Sequence, residues 1–354
     1  MTDLNFDYTA LPVRVLFGVG RLSELADEVR KLGGRALVLT TPFQAELGRQ
    51  IVTHVGDLCA GLHDQAVPHV PQTTIDNALR AVNECSADVL IAVGGGSTIG
   101  LAKGIALETQ LPILAVPTTY AGSEMTHIWG ISKDGRKTTG RNPMVKPRTV
   151  IYDPELVKTL PPKLSLTSGI NAMAHAVEAL YAQNANPIAS MMAEESILRL
   201  AHSLPAVVSA PNDISARTES LYGAWLAATV LDSVGMALHH KLCHTLGGSY
   251  NMPHAETHTV MLPYVVAYNA PEIPAAMVAM SRALGCRLDD VPGAIQDISR
   301  QNGGPVSLKE LGFHEADLDE AAAIATTKPY YNPRRVTRDE IYALFGKAFV
   351  GERP

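Results

Sequence analysis

The sequence predicts an α/β N-terminal domain followed by an all-helical C-terminal domain. Three observations support this prediction. The chain has 354 residues, which at roughly 100–200 residues per domain suggests two domains. Up to about residue 155, short aliphatic runs alternate with longer amphipathic runs, a pattern typical of βαβ units and a mainly parallel sheet. Long helical patterns follow, so we divide the chain into residues 1–155 and 156–354.

In the first domain, predicted strands and helices follow one another in regular order. The first strand is Val13–Phe17, and Gly20–Leu32 is a helix whose apolar residues recur at three- and four-residue spacing. The same reading predicts further strands at Arg35–Thr40, Leu58–Leu62, Asp88–Val93 and Pro112–Val116. It predicts helices between them at Phe43–Val55, Thr74–Cys85 and Ser97–Leu107.

In the second domain, continuous strand patterns are almost absent. Pro154 and the Pro161–Pro162 pair interrupt the chain where its character changes. The predicted helices are Leu166–Tyr181, Pro187–Ser203, Ile214–Leu231, Gly235–Gly247, Pro274–Leu284, Asp317–Ala325 and Thr337–Phe349. Because ligands often bind at domain interfaces, we expect a ligand cleft between the two domains.

Composition excludes several classes of function. The net charge is -6, from 29 basic and 35 acidic residues, so there is no basic excess for nucleic-acid binding. Apolar runs such as Leu111–Pro117 are far shorter than the ~20 residues that span a bilayer, and the N-terminus does not resemble a signal peptide. Four cysteines without a CxxC pair predict neither a disulfide framework nor a thiolate metal site. We therefore expect a cytoplasmic protein.

A glycine run in the first domain indicates a phosphate-binding turn. Gly94, Gly95 and Gly96 follow a predicted strand, and Ser97 opens the next helix as its cap. Glycines let the backbone approach a ligand closely, and a helix N-terminus favours an anion. Hydroxyl side chains follow the next strand, where ligands of open α/β sheets bind; these are Thr118, Thr119 and Ser123. The pattern predicts a dinucleotide site, although a tight βα turn can use glycines without binding a ligand.

Histidines concentrate in the second domain. Five of the twelve lie between residues 239 and 258. His240 and His244 are four residues apart, on one face of a helix, and Asn171 and His175 share that spacing upstream. With His254, they predict a site for metal binding or proton transfer. We expect His239 and His258 to be solvated or to lie behind the residues that contact a ligand.

Four segments resemble a known family: GGGSTIGLAK, PTT followed by GSE, GINAMAHAVEA and HHKLCHTLGGSYNMPH. Along essentially the whole chain, they are similar to the iron-containing (group III) alcohol dehydrogenases. The resemblance implies a dehydroquinate synthase-like fold, a nicotinamide cofactor and a homodimer. It also implies that Lys137 contacts the cofactor and that His244 lies close to the reacting carbon.

The chain departs from the metal-binding pattern of this family, which is Asp-x3-His on one helix and then His-x13-His. Asn171 stands in place of the Asp, whereas His175, His240 and His254 keep the other three positions. A neutral amide removes the only anionic ligand, and hard or borderline cations are held largely by such charge. We therefore expect that no metal is required.

A second departure is the loop PTTYAGSE, which is one residue shorter than the family's usual PTTAGTGSE. Together with MTHIWG, both departures resemble a branch of the family that reduces the enone of an unsaturated keto-diacid in aromatic-compound degradation. This resemblance implies proton delivery by His244 or His254, with His240 and His175 completing the site wall. The alternatives are a metal-dependent alcohol or polyol dehydrogenase on the same scaffold and a nucleotide-binding protein without activity.

The sequence offers several candidates for binding the substrate carboxylates and the cofactor's ribose. The candidates for the carboxylates are Tyr120, Ser123, Asn171, Lys241 and Arg334, with Arg335 and Thr326 as further possibilities. The strand Arg35–Thr40 ends in Thr40 and Thr41, where many family members place an Asp that binds the adenine ribose. Threonines do not repel a 2′-phosphate, so we expect both NADH and NADPH to bind.

Overall fold

The computed structural model describes residues 5–133 and 136–354, and these form two compact units. One unit is Ala10–Leu160. The other is Pro161–Pro354, which the contacts group with the described residues before Ala10. The first unit contains a parallel sheet with helices and the second is helical, so the predicted fold class is confirmed.

The α/β unit is built on a six-stranded parallel sheet with the strand order β1-β8-β5-β4-β2-β3. Its strands are β1 Arg14–Phe17, β2 Ala36–Leu39, β3 Cys59–His63, β4 Val89–Gly94, β5 Ile113–Pro117 and β8 Thr149–Tyr152. An antiparallel hairpin is formed by β6 Ile128–Lys133 and β7 Arg136–Arg141. The helices are α1 Leu25–Leu32, α2 Ala45–Val55, α3 Gln72–Cys85, α4 Gly96–Thr109 and α5 Pro154–Val157.

Alternation along the central strands divides the core of this unit between the two faces of the sheet. Leu90 and Ala92 of β4 pack with residues of α3 and α4, whereas Val89 and Ile91 pack with residues of α1 and α2. Burial on both faces explains why these strands consist of continuous aliphatic runs. The register pairs Gly94 of β4 with Pro117 of β5, so the loops that follow these two strands leave the same edge of the sheet.

The helical unit contains nine α-helices within the described residues. They are α6 Pro162–Ala179, α7 Pro187–Ser209, α8 Ile214–Ser233, α9 Leu238–Tyr250, α10 His254–Asn269, α11 Pro274–Leu284, α12 Val291–Arg300, α13 Leu318–Thr326 and α14 Arg338–Val350. One hydrophobic core joins α9, α10, α13 and α14. No single described helix is long and apolar enough to span a membrane; α8 and α9 meet that test only as a pair bent by 96°.

The sequence reading missed two of these helices and three strands. Helix α10 contains Pro263 and is buried around most of its circumference, so it lacks the polar face that an amphipathic pattern needs. Helix α12 was also missed, as were the hairpin β6–β7 and the four-residue strand β8. A strand of four buried residues gives no periodicity that distinguishes it from any other short apolar run.

Candidate active site

Three helices of the second unit bring the predicted catalytic histidines into one cluster. Helix α6 carries Asn171 and His175 one turn apart, helix α9 carries His240 and His244 at the same spacing, and helix α10 begins at His254. The ring centroids are 5.0 Å apart for His175–His240, 6.0 Å for His240–His244 and 6.5 Å for His244–His254. The imidazoles therefore form an unbroken series across the three helices.

A carboxylate that the sequence reading did not single out, Glu178, lies behind this series. It is fully buried on α6, and its oxygens accept hydrogen bonds from the backbone N–H groups of Ala237 (3.0 Å) and His239 (2.7 Å). These are donors that helix α9 leaves unpaired at its N-terminus. The carboxylate also contacts His240 Nδ1 at 2.6 Å. An acid three residues after His175, in an otherwise apolar stretch, is the sequence signal that could have indicated it.

His239 and His258 form a buried pair beside the cluster. Both side chains are 0% exposed, so the expectation that they could be solvated is wrong. His239 Nε2 and His258 Nδ1 are hydrogen-bonded at 2.9 Å, and the second ring lies 4.4 Å from that of His254, centroid to centroid. The pair packs against the series of histidines and supports it from behind.

Cys243 lies next to this pair, with its Sγ 3.7 Å from His239 Nε2. The candidate ligand atoms of His239, Cys243 and His258 all lie within 4.8 Å of one another. Two imidazole nitrogens on one tetrahedral Zn²⁺ would be about 3.4 Å apart, given metal–nitrogen bonds of ~2.0–2.1 Å. The observed 2.9 Å is shorter than this spacing and is a hydrogen-bond distance. That the cysteines hold no metal stays a prediction.

Burial makes several of these imidazoles poor bases. It lowers the pKa of His175, His239 and His258 well below the usual range, and the neighbouring imidazoles lower each pKa further. A buried ring without a compensating charge favours its neutral form. These three histidines are therefore neutral near pH 7 and are not the reservoir of an acidic proton.

The positions that the resemblance assigns to a metal lack the carboxylate that is typical of an iron site. Asn171 Oδ1 and His240 Nε2 are buried and have no hydrogen-bond partner among the described residues, so donor atoms are present. Sites for ferrous iron typically combine imidazoles with a carboxylate, whereas these positions offer an amide and the imidazoles of His175, His240 and His254. Glu178 binds His240 and is not at a ligand position.

In the α/β unit, the turn after β4 has the shape of a ligand cradle. Gly94 has φ +150°, and a Cβ added to it would lie 2.5 Å from Thr98 Oγ1. A Cβ on Gly95 would lie 2.9 Å from Thr119 Oγ1. Thr118 is tied to the same turn, because its N–H donates to the Gly94 carbonyl at 3.1 Å. Only glycine leaves the turn this open.

The hydroxyl groups around this turn fit a dinucleotide. Thr40, Thr98 and Thr119 each have a buried Oγ1 without a partner among the described residues, and an unpaired buried hydroxyl is costly unless a ligand pairs with it. Gln44, which the sequence reading missed, donates to Thr118 Oγ1 at 3.0 Å. Ser97 is not the cap that we expected: α4 begins at Gly96 with Gly95 as its N-cap, because the glycine turn is already part of the helix start.

The candidates for carboxylate binding fall into different environments. Lys241 Nζ lies 5.8 Å from the centre of the Tyr330 ring. Arg334 is already engaged, because it donates to the Tyr268 carbonyl at 2.9 Å and to Glu340 at 2.8 Å. In the α/β unit, Tyr120 is fully buried, and the carbonyl of Ser123 accepts from Lys103 Nζ at 2.6 Å. The side chain of Lys137 lies outside the described residues.

The glycine turn on a parallel sheet and the histidines on a helical unit define a class of protein. Residues 12–154 match the model of the iron-containing alcohol dehydrogenases, and residues 165–349 match that of the Fe-containing alcohol dehydrogenase family, C-terminal. The chain belongs to the iron-containing alcohol dehydrogenase family and is an oxidoreductase.

Within this family, the chain is similar over its full length to several maleylacetate reductases. It is 50% identical to the maleylacetate reductase of Sphingobium indicum, with 99% of each chain covered. The crystal structure of maleylacetate reductase from Agrobacterium tumefaciens superposes with a TM-score of 0.96 at 47% identity, over 99% of both chains. A more distant structure, a 1,3-propanediol oxidoreductase, has a TM-score of 0.93 at 26% identity and covers 98% of this chain and 100% of its own.

Proposed function

We propose that this chain reduces maleylacetate to 3-oxoadipate with NADH or NADPH, a reaction in the degradation of aromatic compounds. The observation that carries this proposal is the similarity to maleylacetate reductases over 99% of both chains. The amide at Asn171 supports it as well, because it makes the donor set unlike that of an iron-dependent enzyme.

The substrate is a dianion in which an alkene is conjugated with a ketone. When bound, the reduced nicotinamide supplies a hydride to the alkene carbon β to the ketone. The alkene electron pair moves onto the ketone oxygen as an enolate, and a proton added at the α carbon gives the product. One substrate, one NAD(P)H and one proton thus yield one 3-oxoadipate and one NAD(P)⁺.

The histidine cluster supplies what this reaction requires of the protein. A developing enolate is stabilised by hydrogen-bond donors placed in a site that excludes water. We assign proton delivery to His244 or His254, with the other donating to the enolate oxygen. His175 and His240 complete the wall; the lowered pKa of His175 supports a wall role for it rather than a role as the acid.

We assign cofactor binding to the glycine turn and the hydroxyls around it. The backbone of Gly94, Gly95 and Gly96 and the N–H groups at the start of α4 suit a pyrophosphate. Ser97, Thr118, Thr119 and Lys137 are the further contacts that we propose. Thr40 directly follows β2. An acid near the end of this strand selects against a 2′-phosphate by its charge. A threonine does not, so NADPH is accepted along with NADH.

For the substrate carboxylates, Lys241 is the first candidate, because its charge has only a cation–π contact with Tyr330 among the interactions described for it. The Asn171 amide is a second donor, and Tyr120 and Ser123 stay proposals. Arg334 is the weakest, since Glu340 already neutralises its charge. Homodimer formation is a proposal that rests on the family resemblance, and a cytoplasmic location is a proposal that rests on the composition of the chain.

The experiment is to follow NADH oxidation with freshly generated maleylacetate, with and without chelator, beside short alcohols and polyols. We expect turnover with maleylacetate only and product identified as 3-oxoadipate. Chelator-sensitive turnover of an alcohol, without maleylacetate reduction, would instead identify the alternative, a metal-dependent alcohol dehydrogenase.

A further inference from the structure

Glu178 is placed where two elements of the histidine cluster meet. It extends from α6, the helix of Asn171 and His175. Its carboxylate accepts the backbone N–H groups of Ala237, the N-cap of α9, and of His239, the second residue of α9, and contacts the ring Nδ1 of His240. The side chain is fully buried. It therefore supplies from another helix the N-terminal cap that α9 lacks in its own sequence, because Ala237 at the N-cap makes no side-chain hydrogen bond.

This arrangement determines which nitrogen of His240 carries the proton. Each carboxylate oxygen already accepts a backbone N–H, so the group acts as an acceptor through both oxygens. The same role in the 2.6 Å contact places the proton on His240 Nδ1. In the neutral ring, Nε2 then carries the lone pair.

The other nitrogen of His240 is available to the site. The side chain is 7% exposed, and Nε2 has no partner among the described residues. The ring lies between those of His175 and His244, at centroid distances of 5.0 and 6.0 Å. A lone pair at this position can accept a hydrogen bond from a proton-donating group of the cluster and so orient that group.

We propose that Glu178 is a positioning residue that joins α6 to the start of α9 and holds His240 with its Nε2 lone pair directed into the cluster. This inference rests on the proposed function for its catalytic consequence, but the hydrogen-bond arrangement itself does not depend on it. Glu178 contacts neither substrate nor cofactor in this proposal and acts through His240.

The test compares two buried carboxylates that both accept backbone N–H groups. Glu178→Gln removes the charge and leaves one acceptor oxygen for three N–H groups. Asp153→Asn is the matched control: Asp153 is 2% exposed and accepts the N–H groups of Gly20, Leu22 and Glu155, with no imidazole among these partners. We expect Glu178→Gln to lower kcat for maleylacetate by about 10–100-fold, the scale known for removing the carboxylate partner of a metal-bound histidine. Asp153→Asn should leave kcat within about threefold, and the Kd for NADH should not change in Glu178→Gln.

A spectroscopic measurement tests the arrangement without any turnover. In protein labelled with ¹⁵N-histidine, with His240 assigned by the signals lost in His240→Asn, we expect a protonated Nδ1 and an unprotonated Nε2 near neutral pH. A proton on Nε2 in the wild-type protein would overturn the proposal, even if Glu178→Gln fails to fold. A folded Glu178→Gln with unchanged kcat would overturn it too. If the wild-type protein does not reduce maleylacetate, the proposed function fails, and the ¹⁵N result still decides the role of Glu178.

Discussion

At the scale of single residues, the charge of the histidine cluster depends on two side chains of α6. Asn171 is neutral where the family pattern has an acid, and Glu178, two turns further on, is an acid that binds an imidazole rather than an ion. The buried carboxylate beside the cluster therefore contacts an imidazole and two backbone N–H groups, and the position that holds an acid in the family pattern carries a neutral amide.

The first prediction concerns the histidine that delivers the proton. We expect one of the two variants His244→Ala and His254→Ala, the one that lacks this histidine, to lose roughly 10²–10⁴ in kcat. That is the usual contribution of a positioned general acid. The Kd for NADH, measured by fluorescence titration, should stay the same because the glycine turn is untouched. His202→Ala, an exposed position on α7, is the control. A raised KM with nearly intact kcat in both variants would indicate residues that only shape the pocket.

The second prediction concerns the buried pair. Replacing His258 by Ala removes the 2.9 Å partner of His239 Nε2 and leaves it only the weak contact with Cys243 Sγ. A buried polar group that loses its partner costs about 1–3 kcal/mol. We expect the free energy of unfolding, measured in urea, to fall by that amount or more, because a cavity also forms. The kcat should fall less than about tenfold. A loss of kcat greater than that of His244→Ala would show that the pair takes part in the chemistry.

The third prediction is a pH dependence of stability. Burial lowers the pKa of His239 and His258 in the folded state, whereas the unfolded chain has ordinary values near ~6.5. As the pH falls below that value, the unfolded state binds protons that the folded state does not, so the free energy of unfolding decreases. Above it, both states are neutral and the contribution is constant. Urea unfolding from pH 7.5 to 5.5 checks the sign, and a stability that rises toward pH 5.5 would contradict it.

At the scale of elements, local chemistry explains the glycine turn, and tertiary burial explains helix α10. The turn could be predicted because Gly94–Gly96 come directly after aliphatic residues in the sequence. The predicted start of α4 differs from the observed start by one residue. Helix α10 could not be predicted from an amphipathic pattern, since its residues from Thr257 to Val266 are all buried. Its two histidines could be identified as candidates, but their placement required the helix.

The fourth prediction tests the turn. Gly94→Ala should raise the Kd for NADH by about tenfold or more, because a Cβ there would lie 2.5 Å from Thr98 Oγ1 and the positive φ is strained for alanine. Gly346→Ala, in helix α14, is the matched control, since a Cβ at that position meets nothing within 4 Å. Equal NADH affinity in both variants would show that the turn does not bind the cofactor.

At the scale of the whole molecule, the fifth prediction concerns metal. Purified protein should keep its maleylacetate reduction after extensive chelation and should contain far less than one metal per chain by elemental analysis. The reason is the neutral donor at Asn171. Asn171→Asp should raise the affinity for a divalent ion without improving maleylacetate reduction. Stoichiometric iron or zinc whose removal abolishes turnover would contradict this prediction.

The sequence by itself determined the fold class, the glycine turn and the types of donor in the histidine cluster, because each depends on residues close together in the chain. Aliphatic alternation, a run of glycines and a four-residue histidine spacing are local patterns. Only the tertiary structure decided that Glu178 caps α9 and binds His240, 62 residues away in the chain, and that His239 and His258 pair in the interior. Contacts between helices that are distant in the chain depend on packing. A helix that is buried on all sides shows no periodic pattern of polar and apolar residues from which its contacts could be predicted.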